Sequence, residues 1–177
     1  MNNGLIISFL LLFVFILSGW VLSILTSIIF SPTVHTPKKI LLEIFKILKL
    51  IEGENFYDLG SGDGRVLVFA RKLKKINGFG YEISPLMVSL SKLVKFINLG
   101  INNDTNFEVE SIFDIKLDKA NTIYVFQNPK ILKVLDRKFK KELKDTNVFS
   151  YKYEIEDKKP VKVHKLSNGV SLFEYKY

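Results

Sequence analysis

From residue 4 to residue 30 the chain carries no charged side chain and is dominated by Leu, Ile, Phe and Val. Taken as helix, residues 5–30 measure roughly 39 Å at ~1.5 Å per residue. The hydrocarbon core of a bilayer is ~30 Å thick, so the pattern predicts one membrane-spanning helix with room to tilt. A cleaved signal peptide is the rival reading. It calls for a basic start, a shorter apolar run and a small-x-small cleavage site, whereas this chain begins Met1-Asn2-Asn3 and shows no Ala-x-Ala site. A buried core helix is the other rival, but few soluble helices are apolar on every face over such a length.

Beyond residue 30 the periodicity changes. Residues 31–36 form a short connector. Thr36 suits an N-cap with Pro37 at the first helical position. Leu41, Ile44, Phe45 and Leu48 then recur at helical spacing, so residues 37–50 are predicted as an amphipathic helix that Gly53 stops. Strand and helix alternate from there. Residues 56–59 form a short strand, and Val66, Phe69, Ala70 and Leu73 mark a helix face. Residues 78–83 form a second strand. Ser84-Pro85 opens a helix with Leu86, Leu90, Leu93, Val94 and Ile97 expected inside and Gly100 as its stop. Residues 107–112 and 122–126 are the third and fourth strands. Asn128-Pro129 starts a helix carrying Ile131, Leu132, Leu135 and Phe139. Three further strands are predicted at 148–155, 161–166 and 170–175, the last two joined by Ser167-Asn168-Gly169, a hairpin signal. Alternating βα units followed by a hairpin imply an α/β fold with a mostly parallel sheet and an antiparallel end. The organisation expected is a membrane anchor at 1–30, a connector and amphipathic helix at 31–53, and a ligand-binding domain at 54–177.

Composition narrows the chemistry. The 177 residues include no cysteine, which excludes disulfides, thiolate metal sites, iron–sulfur clusters and a cysteine nucleophile. The two histidines, His35 and His164, lie far apart, so no histidine metal cage is expected; both are read as structural or exposed. The formal charge of +8 falls wholly on residues 31–177 and suggests an anionic neighbour. Lys38 and Lys39 follow the apolar helix closely, and Lys46 and Lys49 come soon after. The positive-inside tendency therefore puts residues 31–177 on the cytoplasmic side of a single-pass membrane protein. A basic run, Lys130, Lys133, Arg137, Lys138, Lys140, Lys141 and Lys144, reads as a solvated helix face or a surface resting on anionic headgroups. No recognised RNA-binding motif accompanies it, so nucleic acid is not the expected partner.

The segment richest in chemistry is Asp58-Leu59-Gly60-Ser61-Gly62-Asp63-Gly64, where a strand ends and a helix begins. Its three glycines permit a sharp turn and close approach of a ligand to the backbone. The helix N-terminus that follows offers free N–H groups and a partial positive charge. Glu82 lies twenty residues after Gly62, at the end of the next predicted strand. A carboxylate there can accept hydrogen bonds from both hydroxyls of a ribose. A ligand-free turn would not need the spaced acid. A dinucleotide site would need a glycine where Arg65 stands. Asp58 and Asp63 would also repel a pyrophosphate, whereas they suit a cofactor bearing an ammonium and a sulfonium. The contrast favours S-adenosylmethionine over a nicotinamide dinucleotide.

This motif and its partner acid resemble those of class I S-adenosylmethionine-dependent methyltransferases, which implies a Rossmann-like sheet. A closer resemblance is to the small membrane-anchored protein-lysine methyltransferases, which include the enzymes acting on the ATP synthase c-subunit and the adenine nucleotide translocase. Like them, the chain has an N-terminal hydrophobic segment. It also has a Pro/Thr-rich stretch (Pro32 through Pro37), a Tyr57–Arg65 segment matching their first motif, and Ser150-Tyr151-Lys152-Tyr153 late in the sheet. The resemblance implies that Asp58, Gly60, Ser61, Gly62, Asp63 and Gly64 frame the methionine end of the cofactor. Glu82 would hold the ribose, Ile83 would pack on the adenine, and Ser111 and Ile112 would lie at the adenine edge. Ser111 stands where the family often has Asp. Gln127 and Asn128, followed by Pro129-Lys130, replace the Asn/Asp-Pro-Pro-aromatic motif of many amine methyltransferases. They are candidates for orienting the acceptor amine, although Asn128 reads equally well as a helix cap. Displacement at a sulfonium carbon asks the protein chiefly for alignment, so no catalytic triad is expected, and the sequence offers none. No metal ligand is expected. The implied function is a membrane-anchored methyltransferase acting on a protein lysine. A lipid or small membrane metabolite as acceptor, or a non-catalytic cofactor-binding module, remain open.

Overall fold

A computed structural model of the chain describes residues 3–30 and 36–177. Of the connector predicted at 31–36, residues 31–35, His35 among them, lie outside the described residues. Contacts divide the chain between His35 and Thr36 into two compact units.

The first unit holds α1 (Asn3–Phe30), 28 residues long. Its side chains are exposed throughout the described part, Phe9, Phe13 and Trp20 among them. Its hydroxyls fold back on the backbone: Ser8 Oγ donates to the Gly4 carbonyl at 3.0 Å and Ser18 Oγ to the Phe15 carbonyl at 2.8 Å. Such pairing lets a hydroxyl sit in an apolar medium without an orphaned donor. Among the described residues α1 is the helix long and apolar enough to cross a membrane.

The second unit, Thr36–Tyr177, contains α2 (Lys38–Leu48), β1 (Asn55–Leu59), α3 (Arg65–Leu73), β2 (Asn77–Glu82), α4 (Pro85–Leu99), β3 (Thr105–Val109), β4 (Thr122–Val125), α5 (Pro129–Glu142), β5 (Asn147–Tyr151), β6 (Lys162–Lys165) and β7 (Ser171–Lys176). The seven strands form one sheet in the order β3-β2-β1-β4-β5-β7-β6. β1 to β5 are mutually parallel, and β7 runs antiparallel to both β5 and β6. This is the mostly parallel sheet with an antiparallel end that the alternation predicts.

Period-two alternation splits the core across the sheet. Phe56 joins a cluster with α2, α3 and α4, containing Ile44, Phe45, Leu67 and Val88. Tyr57 and Leu59 join the opposite cluster, packed on Leu132, Leu135 and Phe139 of α5. α2 is integral to the first cluster, with Ile40, Leu41, Ile44, Phe45 and Leu48 all buried. Its Glu43 reaches the β6–β7 turn, accepting from the Ser167 N–H at 2.8 Å and from the Ser167 hydroxyl. Those hydrogen bonds hold the Glu43 carboxyl below its ordinary range.

Several boundaries differ from expectation. Pro37, not Thr36, occupies the cap position of α2, and its carbonyl accepts from Ile40 and Leu41. Thr36 is buried instead, beside the Tyr124 hydroxyl. α2 stops at Leu48 because Lys49 turns left-handed, with φ 49°. β3 ends at Val109, short of the predicted 112, since the chain turns at Ser111, whose carbonyl accepts from Asp114 and Ile115. β5 ends at Tyr151, not 155, where Lys152 adopts φ 74°.

The largest difference is the phase of α4. Val88 and Ser91 face inward, while Leu90, Leu93 and Ile97, expected inside, are exposed. Ser84 and Pro85 start the helix so that small Ser91 abuts the glycine loop. A Cβ on Gly64 would come within 2.7 Å of the Ser91 Cβ, so a leucine on that face would not fit.

Candidate active site

The site lies at the carboxyl ends of β1, β2 and β4, beside the place where strand order reverses between β1 and β4. Open α/β sheets bind ligands there. β1 delivers Asp58, and residues 60–64 form the loop that enters α3. The Gly60 and Ser61 N–H groups both donate to the Tyr81 carbonyl, at 2.9 and 3.0 Å, which folds the loop back over β2. Gly60 (φ 87°) and Gly64 (φ 76°) take left-handed conformations that other residues rarely adopt. Space matters as well as conformation. A Cβ on Gly60 would meet only the movable amide of Gln127, but one on Gly64 would fall 2.6 Å from the buried Phe107 ring.

Three carboxyl groups converge here, each in a different state. Asp63 is clamped by Arg65, with Arg65 Nη2 2.6 Å and Nε 2.9 Å from Asp63 Oδ2. Glu82 spans the two loops: Oε2 accepts from the Gly62 N–H at 3.1 Å and Oε1 from the Ser84 N–H at 2.9 Å. Each Glu82 oxygen keeps a second lone pair for a ligand hydroxyl. Asp58 is buried, and its Oδ2 has no partner. Burial, then the negative charges of Glu82 and Asp63, push its carboxyl up to about 8. Buried Ser61 Oγ also lacks a partner. A buried acid and hydroxyl left unmet, beside two further acids, suit a ligand with a cationic head and hydroxyls; a ligand ammonium would complete Asp58.

Other predicted residues surround this pocket. Ile83, at the carboxyl end of β2, is 73% exposed, and Ile112 is partly buried. Both lie beyond strand ends, with Ser111, whose Oγ accepts from the Phe113 N–H at 3.3 Å. Gln127 follows β4 and sits over Gly60, its Nε2 3.4 Å from the Leu59 carbonyl, a weak contact. Asn128 caps α5: its Oδ1 accepts from the Ile131 N–H at 3.0 Å and its carbonyl from Leu132. Those bonds engage both of its oxygens, leaving Gln127 as the side chain of the pair that reaches the glycine loop.

One feature escaped the sequence. Phe126 meets Tyr151 edge-on, with ring centroids 4.9 Å apart, and lies 6.5 Å from the Tyr153 ring, stacked. These rings gather at the carboxyl ends of β4 and β5, next to Gln127. Tyr151 and Tyr153 stand in a segment with a recognisable signature, but Phe126 joins them only through β4–β5 pairing. Elsewhere, His164 pairs with Glu174 across β6 and β7 at 2.7 Å, a structural role remote from these strand ends in the sheet order.

A family model for the ANTKMT methyltransferase domain matches residues 58–162, more than half of the chain and the whole of this site. The chain belongs to this family. It is an S-adenosylmethionine-dependent methyltransferase of Rossmann-like fold. A protein-lysine N-methyltransferase of Saccharolobus islandicus is 29% identical over 142 residues, covering 78% of this chain and 86% of that protein. The human lysine N-methyltransferase of the ATP synthase c-subunit is 27% identical over 114 residues, 64% of this chain and 48% of that one. The mouse adenine nucleotide translocase lysine N-methyltransferase is 28% identical over 103 residues, 57% of this chain and 44% of that one. The chain thus spans about half the length of these animal relatives. Among solved structures, an RNA methyltransferase from Salinibacter ruber in complex with S-adenosyl-L-homocysteine superposes with a TM-score of 0.76 at 23% identity, covering 81% of this chain and 93% of that one. That likeness shows the fold.

Proposed function

We propose that this methyltransferase is anchored to a membrane by α1, keeps its domain on the cytoplasmic side, and transfers methyl groups to lysine side chains of a protein. The observation that carries the reading is the chemistry around Gln127. Amide and aromatic groups gather there, and the described residues place no histidine beside them. A neutral amine needs orientation and a place to lose its proton, not a strong base.

Asp58 would hold the cofactor's ammonium, with the backbone of Gly60, Ser61, Gly62 and Gly64 around its methionine end and Asp63 fixing the loop through Arg65. Glu82 would take the ribose hydroxyls. Ile83 and Ile112 would flank the adenine, and Ser111 would sit at its edge. When bound, S-adenosylmethionine supplies a methyl carbon made electrophilic by its sulfonium. The protein's own part is at the acceptor. Phe126 and Tyr153 offer an apolar flank to the lysine stem, which favours the neutral amine by desolvation. The amine releases its proton to solvent, and the Gln127 carbonyl, with Asn128 setting the start of α5, turns the nitrogen lone pair inward.

The test is methyl transfer from radiolabelled S-adenosylmethionine by the full chain, reconstituted in lipid and incubated with membranes of its source cell. Wild type should place label in methyl-lysine after acid hydrolysis. Glu82→Ala should abolish transfer, and Gln127→Ala should lower it by roughly ten- to a hundred-fold, the cost of a misplaced nucleophile. Glu82-dependent label in the lipid or RNA fraction, and not in protein, would refute lysine as the acceptor.

A further inference from the structure

We propose that the outward face of α4 is a lipid-docking surface that lays the catalytic domain against the bilayer. The inference rests on reading α1 as a membrane span, and it goes further by giving the domain a membrane-facing side of its own.

The observation is the one that overturned the expected phase of α4. Opposite inward-facing Val88 and Ser91, the helix presents Leu90 (40% exposed), Leu93 (53%) and Ile97 (71%), with Phe96 (56%) alongside. Ile101 (77%) follows the helix, so the apolar stripe runs on past its carboxyl end. Scattered exposed apolar residues are ordinary, but a stripe of five along one helix face marks a surface that something covers.

Charge identifies the occupant. The only charged residues of α4 are Lys92 and Lys95, and it has no acid. Lys95 turns to the Thr105 carbonyl of β3 at 2.6 Å, but Lys92 is exposed one turn before Phe96, and Lys72 of neighbouring α3 bonds Asn98, the residue after Ile97, at 2.6 Å. Apolar side chains flanked by lysines fit the boundary between acyl chains and anionic headgroups. The other basic helix, α5, is a poorer candidate. Its Lys138 and Lys140 are paired with Glu142 and Asp136, Lys133 pairs with Glu156, and its apolar residues Leu132, Leu135 and Phe139 are buried. A lipid surface is therefore favoured over a second protein, and over α5 as the face that meets it.

The consequence concerns substrate. α4 starts at Pro85, three residues after Glu82, so the stripe begins near the cofactor end of the sheet. Docking along it holds the acceptor opening near headgroup level and selects lysines that lie close to the bilayer surface.

The chain has no cysteine of its own, so single labels are clean. Full chain carrying Leu93→Cys with an environment-sensitive fluorophore is placed in nanodiscs of neutral and anionic phospholipid, beside a Lys165→Cys control. Retained cofactor binding verifies the fold. The expected result is blue-shifted emission at position 93. Lipids with a quencher on the acyl chain should quench that label at least three-fold more than the one at position 165. A position-93 label that stays water-like and open to iodide overturns the docking surface. So does protection that follows the number of protein copies per disc rather than the lipid quencher, which identifies a second copy as the occupant. Flotation of the same samples separates the two readings: a chain that floats with an unshifted label loses only α4 docking, and one that does not float loses the anchor as well.

Discussion

Asp58 concentrates the energetic tension of the site. Its carboxyl, pushed up to about 8, starts at about 3.9 in an unfolded chain. Between those values the folded protein holds a proton that the unfolded chain has released. Its contribution to stability is therefore fully present below about pH 4 and is lost as pH rises through about 8. Asp58→Asn should flatten that dependence, so its unfolding midpoint should fall less than the wild-type midpoint between pH 5 and pH 8.5, as read by thermal melts. Cofactor binding reverses the balance, because an ammonium beside Asp58 favours the carboxylate. Titration calorimetry near pH 7 in two buffers of different ionisation heat should show up to one proton released on binding, and identical heats would contradict the pairing. The gathering of the motif acid, the glycines and Glu82 at one loop was legible from residue type and spacing alone, because a tight strand-to-helix turn fixes distances along the chain. Asp58's lack of a partner was not legible, since it depends on what the fold places around it. Nor was Phe126 beside Tyr151, a contact made across strands.

Among the elements, β-strand positions were the easiest to read and the phase of α4 the hardest. The predicted strand at 56–59 is there, and its alternation puts Phe56 and Leu59 in opposite clusters. α4 misled because its strongest hydrophobic row, Leu90, Leu93 and Ile97, is the one facing out, while the inward row is set by the small contact of Ser91 with the glycine loop. Equating apolar with inward assumes water on the other side of the helix. α2 shows the ordinary case. Ile44 is fully buried within the cluster that joins α2 to the sheet. Ile44→Ala should cost about 2–5 kcal/mol of stability, with the resulting cavity deciding where in that range it falls. Denaturant unfolding of the domain is the measurement, and a loss under about 1 kcal/mol would mean that α2 docks more loosely than its burial indicates.

For the whole molecule, the alternation of strands and helices made the fold class readable, and the Ser167–Gly169 turn made the final hairpin readable. The sheet order was not, because no local pattern says that β4 should pair with β1 or that β7 should enter beside β5. The cytoplasmic placement proposed for the domain rests on lysine asymmetry alone. It follows that Lys165→Cys in intact cells should resist a membrane-impermeant maleimide and react once the membrane is opened. Labelling of intact cells would reverse the orientation.

The position of β7 also bears on how the protein comes into being. It follows β5 and β6 in the chain yet lies between them, with Leu172 and Tyr175 fully buried. Until β7 leaves the ribosome, β5 has an open edge and β6 has no neighbour. α1, on the proposed reading a membrane span, is made long before the sheet can close. Under the proposed anchoring, delivery to the membrane would precede the closing of the catalytic domain, and the enzyme would complete its fold where it works.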